Sequence, residues 1–207
     1  MEFEDIIYTK ENHIATITLN RPHRLNAINP TLAKSLVQAA QEADKDEDVR
    51  VIAITGKDRA FSAGGDIKEI LGEGQDTAMI DAAGPIPAAL WGSDKPIIAS
   101  INGPALGWGM ELVLLCDIRI ASEKAIFAES FIKRGLIPDN GGTWLLPRLV
   151  GWARACEITF TGDIIDAKEA ERIGLVNKVV PHDELGKATA EMAAKLANNP
   201  PLGIRMS

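Results

Sequence analysis

Residues 51–69 read VIAITGKDRAFSAGGDIKE, and this stretch decides the fold. Its first five residues form an unbroken apolar run, as in a strand that is covered on both faces. A turn with two adjacent glycines, Gly64 and Gly65, follows the run. Asp66 and Glu69 then have the spacing of a capping box, which predicts a helix that begins here and ends at Gly72. The stretch therefore predicts a strand, a glycine turn and a helix, the unit from which α/β folds are built.

The same order of elements recurs on both sides of this stretch. Upstream, β-rich runs at 6–10 and 13–19 predict a hairpin, and Asn29 before Pro30 predicts an N-capped helix. Downstream, the predicted elements are strands at 96–101, 118–121 and 176–180, and helices at 110–115, 143–149, 153–161, 166–174 and 183–197. Residues 72–84 are expected to form the most mobile loop. No linker interrupts this order, which indicates a single α/β domain.

Composition and charge exclude several classes of protein. The chain has 207 residues, 46% hydrophobic and 25% charged, which is typical of a soluble globular protein. Its formal charge of −7 argues against nucleic acid and anionic membrane as partners. Cys116 and Cys156 lie far apart in apolar runs and have no metal-ligand spacing, so we interpret both as core thiols and expect no metal site. The acidic N-terminus is unlike a signal peptide, which favours a cytoplasmic location.

Two glycine-rich turns, at 60–66 and 102–109, each follow a predicted buried strand and precede a helix. Small residues let a ligand approach the backbone, and the start of a helix offers unpaired N–H donors. Two such turns could converge on one oxygen, as an oxyanion hole requires. The alternative is that each turn serves only tight packing. Neither turn has the pattern of a P-loop, a dinucleotide fingerprint or a nucleophile elbow.

A series of short motifs runs along nearly the whole chain. In order, they are LNRP (19–22) with LNA (25–27), FSAGGDIKE (61–69), KP (95–96), NGPALGWGMEL (102–112), CDIR (116–119), GLIP (135–138) with GGT (141–143), and residues 167–180. Together they closely resemble the enoyl-CoA hydratase/isomerase (crotonase) family. The resemblance implies an α/β spiral of repeated ββα and βαβ units. It also implies an acyl-CoA-binding core at 1–198, with 199–207 as the start of a truncated C-terminal helical segment.

The resemblance also implies which residues bind the substrate, an acyl-CoA thioester. The backbone N–H groups of Ala63 and Trp108 would hold the thioester oxygen as it becomes enolate-like. Arg24 would be a phosphate ligand, while Asp66 has a competing role as a helix N-cap. No cofactor is implied beyond the CoA moiety of the substrate. The adenine and pantetheine of CoA would lie along Arg24, Leu25, Ala27, Ser62, Ala63, Gly64, Gly65, Asp66 and Ile67.

The acid–base residues match the family only in part. Glu111 corresponds to the first of the two glutamates that hydrating relatives commonly use, and its apolar helix should raise its pKa. The position of the second glutamate falls on Phe131. Glu129 is two residues away, with no assurance that it points into the site. Asp139 is the second candidate, because isomerising relatives place an aspartate directly after this proline, although Pro-Asp-Asn-Gly is also good turn chemistry.

Three functions follow from these residues. Hydration of a 2-enoyl-CoA to a 3-hydroxyacyl-CoA is the leading hypothesis, because Glu111 is retained. Double-bond isomerisation of the Δ3,Δ2 type, using Asp139, is the alternative. A non-catalytic CoA-binding scaffold is the third, because a fold does not fix a function. By resemblance, we expect a homotrimer or a dimer of trimers, with no nucleic acid or membrane partner.

Overall fold

The computed structural model describes residues 3–71 and 85–207, so the loop expected at 72–84 lies outside the described residues. Its strands are β1 (Ile6–Glu11), β2 (Ile14–Leu19), β3 (Val51–Gly56), β4 (Ile97–Ile101), β5 (Ala105–Leu106), β6 (Ile118–Ser122), β7 (Ile126–Ala128), β8 (Ile165–Asp166) and β9 (Lys178–Val180). Its α-helices are α1 (Pro30–Lys45), α2 (Ile67–Leu71), α3 (Pro85–Trp91), α4 (Trp108–Leu114), α5 (Gly142–Val150), α6 (Trp152–Thr161), α7 (Ala167–Arg172), α8 (Leu185–Ala197) and α9 (Pro201–Arg205). Short 3-10 helices lie at Pro22–Arg24, Ser130–Arg134 and His182–Glu184.

A six-stranded sheet in the order β1-β2-β3-β4-β6-β9 forms the centre of the fold. β1 and β2 form the predicted antiparallel hairpin, and the other neighbouring strands are parallel. β4 is buried along its whole length and β3 nearly so. The unbroken apolar runs therefore lie where they were predicted, in central strands with both faces covered.

Both faces of this sheet are packed. The larger apolar cluster, on one face, includes Ile52, Ile54 and Ile101 of the central strands and Leu32 and Leu36 of α1. The other face carries Val51, Ile98 and Ile120, which pack against α8. The predicted α/β class is therefore confirmed.

Helix starts were predicted with mixed success. α1 begins as expected: Pro30 occupies the first turn, and the Asn29 side chain accepts a hydrogen bond from Leu32 N at 2.8 Å. α2 also begins after Asp66, but the capping box is wrong. The Asp66 and Glu69 carboxylates instead bind the buried guanidinium of Arg21, at 3.0 and 2.6 Å. Arg21 lies just after β2, far from Asp66 in the sequence, so the local spacing of Asp66 and Glu69 could not reveal this ion pair.

A second, small sheet in the order β5-β7-β8 was not predicted. β5 directly precedes α4, and Gly107 N, between them, donates to Ala128 O at the end of β7. These short strands therefore fix the start of α4 against the segment that follows β7. α3 was not predicted either. Within the described residues, no helix has the length and apolar character that crossing a membrane requires.

Candidate active site

The two glycine-rich turns meet in the structure. Ser62 N donates to Pro104 O at 3.0 Å, and Leu106 N donates to Ser62 O at 3.0 Å, which forms a bridge between the turns. Gly109 makes this approach possible, because a Cβ at this position would collide with the Ser62 carbonyl oxygen. Gly64 has a φ of +102°, a conformation that L side chains rarely adopt. The expected convergence of the turns is therefore present.

The backbone N–H groups at this junction differ from the expectation in one respect. Ala63 N donates to Leu25 O at 2.9 Å, so this donor is already engaged. Within the described part of the chain, Gly65 N and Trp108 N have no recorded acceptor. Trp108 is the first residue of α4, so its N–H lacks an intrahelical partner. The free pair of donors is thus at Gly65 and Trp108, and Ala63 could join only by exchanging its bond to Leu25.

A cavity of about 580 Å³ opens beside these donors. It is large enough for a small acyl group and part of its carrier. Of the residues expected to bind CoA, Ala63, Gly64, Gly65 and Ile67 line it, together with Trp108 and Asp139. Its remaining wall is formed by Ile70, Leu106, Gly107, Ser130, Phe131, Lys133, Arg134, Leu136 and Ile137.

The other residues expected to bind CoA lie outside this lining. Arg24 is exposed, Leu25 is half-buried and Ala27 is buried. Two side chains are engaged in the interior. Ser62 Oγ donates to Asn26 O at 2.9 Å and accepts from Gly64 N, and Asp66 pairs with Arg21. Ser62 and Asp66 therefore shape the turn, and their side chains are not available to a ligand.

Glu111 lies on α4, one turn after Trp108, and is fully buried. Its Oε2 accepts from Asn140 N at 3.0 Å, and its Oε1 accepts from Gly142 N at 2.9 Å. Burial raises the pKa of Glu111 to about 7; the Gly142 N–H opposes the rise, and Asp139 adds to it. A carboxyl with such a pKa is suited to proton transfer near neutral pH, as the sequence predicted.

Asp139 lies on the cavity wall, in the loop before α5. Its Oδ1 accepts from the indole Nε1 of Trp108 at 2.8 Å and from Asn140 Nδ2 at 3.0 Å. Partial burial raises the pKa of Asp139, and the Trp108 donor opposes the rise. The structure therefore places Glu111, Asp139 and Trp108 close to one another, and their catalytic roles stay a prediction.

Phe131 lies where counting along the chain placed it, and the structure adds the direction of Glu129, which the sequence left open. Phe131 lines the cavity, at the position expected for a second glutamate. Glu129 points inward: it is fully buried, and a Cβ added to Gly142 would lie 3.1 Å from Glu129 Oε1 and 2.6 Å from Glu111 Oε1. The 3-10 helix that begins at Ser130 sets this direction. Sequence spacing alone did not reveal it, although an acidic residue directly after the apolar β7 was a signal.

The backbone N–H of Gly65 is the other feature that the sequence did not predict. Gly65 was expected to bind CoA but was not expected to donate to the thioester oxygen. The signal was its place directly before the first residue of the predicted helix. A Cβ at Gly65 would lie 3.1 Å from Cε3 of the Trp108 ring, so the two free donors belong to neighbouring residues in space.

Comparison with known proteins identifies the family. The model of the enoyl-CoA hydratase/isomerase family matches residues 9–207. A probable mitochondrial enoyl-CoA hydratase from Dictyostelium discoideum is 43% identical over 202 residues, which cover 96% of this chain and 72% of the relative. A short-chain-enoyl-CoA hydratase from Clostridium acetobutylicum is 39% identical over 212 residues, which cover 100% and 80%.

The solved structures agree. A crystal structure of an enoyl-CoA hydratase subunit from Geobacillus kaustophilus superposes with a TM-score of 0.92 at 39% identity, covering 99% of this chain and 80% of that one. The chain belongs to the enoyl-CoA hydratase/isomerase family, and both the resemblance and the crotonase-like fold class are confirmed. The division at residue 198 stays a prediction, although α9 lies in the segment assigned to the C-terminal helices.

Proposed function

We propose that this chain hydrates a 2-enoyl-CoA to a 3-hydroxyacyl-CoA. The observation that carries the proposal is the Glu111 carboxylate, held through both oxygens by backbone N–H groups beside a cavity with two free donors. A carboxylate fixed in this way is oriented without the use of a flexible side chain. The relatives named as hydratases support the same reaction.

In the proposed reaction, Gly65 N–H and Trp108 N–H receive the thioester oxygen. Water adds to Cβ: its oxygen forms the new C–O bond, and its proton passes to Glu111. The π electrons move through Cα to the thioester oxygen, where the two donors stabilise the enolate. Protonation of Cα then returns the electrons and gives the 3-hydroxyacyl thioester. Losing one such donor costs about 10²–10³ in rate in a comparable enzyme.

The proposed ligand is the CoA moiety of the substrate, with no separate cofactor. Ala63, Gly64, Gly65 and Ile67 support this proposal, because they line the cavity with a backbone that a narrow pantetheine chain could approach. Arg24 is exposed and remains the proposed phosphate ligand. The proposed acyl end of the cavity is its apolar wall around Phe131 and Leu136.

Crotonyl-CoA tests the proposal. We expect the wild-type chain to form a hydrated product, separated by chromatography and identified by its added mass. Glu111→Gln should lower kcat by about 10²–10⁴-fold, while Glu157→Gln, at an exposed position on α6, should leave kcat unchanged. No hydrated product at any enzyme concentration overturns the proposal. Tight CoA binding without turnover would then support the scaffold hypothesis.

One observation favours isomerisation as a second candidate: Asp139 lines the cavity, whereas Glu111 is not part of the described lining. Asp139 could move a proton between Cα and Cγ of a 3-enoyl-CoA. Incubation of 3-enoyl-CoA in deuterated water, with wild type and Asp139→Asn, separates the two reactions. Isomerised product lost in Asp139→Asn, without hydration of crotonyl-CoA by the wild type, would favour the isomerase.

We further propose a homotrimer or dimer of trimers in the cytoplasm, without nucleic acid or membrane partners. The charge of −7 supports the absence of polyanionic partners. Exposed apolar side chains support self-association: Trp152 is 76% exposed and Phe160 is 70% exposed, both on α6. Light scattering should give a mass of at least three chains, and a clean monomer would contradict the assembly.

A further inference from the structure

Glu129 is a buried acid that the proposed reaction does not yet use. It lies between β7 and the following 3-10 helix and has no exposed surface. Neither carboxyl oxygen has a hydrogen-bond partner within the described residues. A buried, unpartnered polar group destabilises a fold, and an unpaired charge does so far more. Such a residue is therefore expected to be retained for a reason other than stability.

The charged groups that face Glu129 are both acidic. They are Glu111, from α4, and Asp139, from the loop before α5. Burial, and after it these two carboxyls, raise the pKa of Glu129 well above its ordinary value and so favour its neutral form. Lys133, on the same 3-10 helix, pairs instead with Asp163 at 3.2 Å.

Glu111 has the opposite setting, although it lies beside Glu129. Two backbone N–H groups favour its charged form, whereas Glu129 receives none. A Cβ at position 142 would lie within 3.1 Å of an oxygen of each carboxyl. Only a glycine at this position therefore leaves room for the pair. Two neighbouring carboxyls in unequal environments hold their protons unequally.

We propose that Glu129 is a positioning residue that acts through Glu111: the two carboxyls form a buried pair that holds one proton at rest and two after water is deprotonated. This inference rests on the proposed hydration. Glu111 takes the water proton as the C–O bond forms, and Glu129, whose carboxyl oxygens have no other partner among the described residues, then hydrogen-bonds with the protonated Glu111 and stabilises it. One proton leaves the pair to form the Cα–H bond, which restores the resting state.

The test compares Glu129→Met and Glu129→Gln with wild type, using Glu191→Met on the exposed face of α8 as the matched control. Replacing an unpartnered buried acid with an apolar side chain of similar length should raise Tm, by about 2–4 °C. At the same time, kcat for crotonyl-CoA should fall about tenfold or more, with KM changed less than about twofold. The control should change neither quantity.

The pH profile separates this role from simple packing. If Glu129 stabilises the protonated form of Glu111, its loss should lower the pKa of Glu111, so the Glu129 variants should move the acid limb of kcat/KM to lower pH than in wild type. A lowered kcat with a displaced limb supports the proposal. Unchanged kcat overturns it, and so does a lowered kcat with an unmoved limb, because Glu129 then does not act through the ionisation of Glu111. If Glu129→Met does not fold, Glu129→Gln, which keeps the shape but has no acidic proton, decides the matter.

Failure of the inference and failure of the proposed function give different results. If the wild-type chain hydrates no enoyl-CoA, the proposed function is wrong. If the wild type hydrates crotonyl-CoA and the Glu129 variants retain its kcat, hydration stands and only the carboxyl pair is wrong.

Discussion

The indole Nε1 of Trp108 donates a hydrogen bond to Asp139 Oδ1 at 2.8 Å, while the backbone N–H of the same tryptophan has no acceptor in the described part of the chain. One residue thus joins the donor end of the cavity to the acid on its wall. The family resemblance implied a role only for the backbone N–H of Trp108. The structure shows that the indole of Trp108 also binds Asp139.

Trp108→Phe removes the indole donor and keeps the backbone N–H. Because the Trp108 donor opposes the rise in the pKa of Asp139, its loss should raise that pKa further. We expect kcat to fall about tenfold, the effect of losing a hydrogen bond to a charged group. Steady-state kinetics measure this change, with the exposed Trp152→Phe as the control. Equal kcat in Trp108→Phe and wild type would show that the hydrogen bond from Trp108 to Asp139 does not affect the reaction.

The activity should follow the ionisation of Glu111. The residue must be a carboxylate to accept a proton from water, and its pKa is raised to about 7. We therefore expect kcat/KM to rise with pH up to about 7 and to level off above it. Measurements from pH 5 to pH 9 on crotonyl-CoA test this profile. A flat profile down to pH 5 would show that Glu111 is not the base. In Glu111→Gln, any residual activity should lack the rise of kcat/KM with pH.

Stability should depend on pH through Glu129. Folding raises the pKa of Glu129 well above the ordinary value of 4.5. At pH values between the ordinary pKa and the raised pKa, the folded chain therefore binds more protons than the unfolded chain. Stability from this group is therefore greatest below the ordinary value and is lost as pH rises. The Tm advantage of Glu129→Met over wild type should grow between pH 5 and pH 8, as calorimetry would show. An advantage of equal size at both pH values would contradict this linkage.

Gly109 should be essential to the junction of the two turns. Besides its collision with the Ser62 carbonyl, a Cβ at Gly109 would lie 2.9 Å from Ser62 Cβ, so Gly109→Ala must push the turns apart. We expect a loss of both Tm and activity. Gly186→Ala, in α8, is the matched control, because its Cβ would meet open space and should stabilise the helix by about 0.5–1 kcal/mol. Wild-type activity in Gly109→Ala would show that the turns can separate freely.

Arg21 should hold the start of α2 in place. Its guanidinium is 5% exposed and pairs with Asp66 and Glu69, so Arg21→Met leaves the Asp66 charge buried without its partner. Unfolding measurements should show a loss of about 3–5 kcal/mol. The double variant Arg21→Met/Asp66→Asn should recover part of it. Arg154→Met, which breaks an exposed pair with Glu157, should leave Tm almost unchanged.

Local chemistry predicted the elements that depend on neighbours in sequence. Asn29 caps α1, as its place before Pro30 indicated, and the apolar run at 51–55 forms a central strand. The errors involve partners that are distant in the chain. Arg21 takes the carboxylates of the expected capping box, and Leu25 takes the N–H of Ala63. Short strands such as β5 carry too few residues for a periodic signal.

The site shows the same division. Glu111 could be located because its motif lies on one helix, whereas the direction of Glu129 depends on a 3-10 turn that spacing does not encode. The unpaired state of Gly65 N–H likewise depends on how two turns cross.

The bridge between Ser62 and Ala105 makes the two glycine turns one rigid body. The gap between the donors is thereby set by the backbone alone, and no side-chain substitution on the opposite wall can tune it. That wall includes Ser130, Phe131, Lys133 and Arg134 of a short 3-10 helix, which takes no part in the bridge. In the proposed reaction, evolution can therefore change the acyl group that this scaffold accepts while the two donors proposed to polarise the thioester keep their positions.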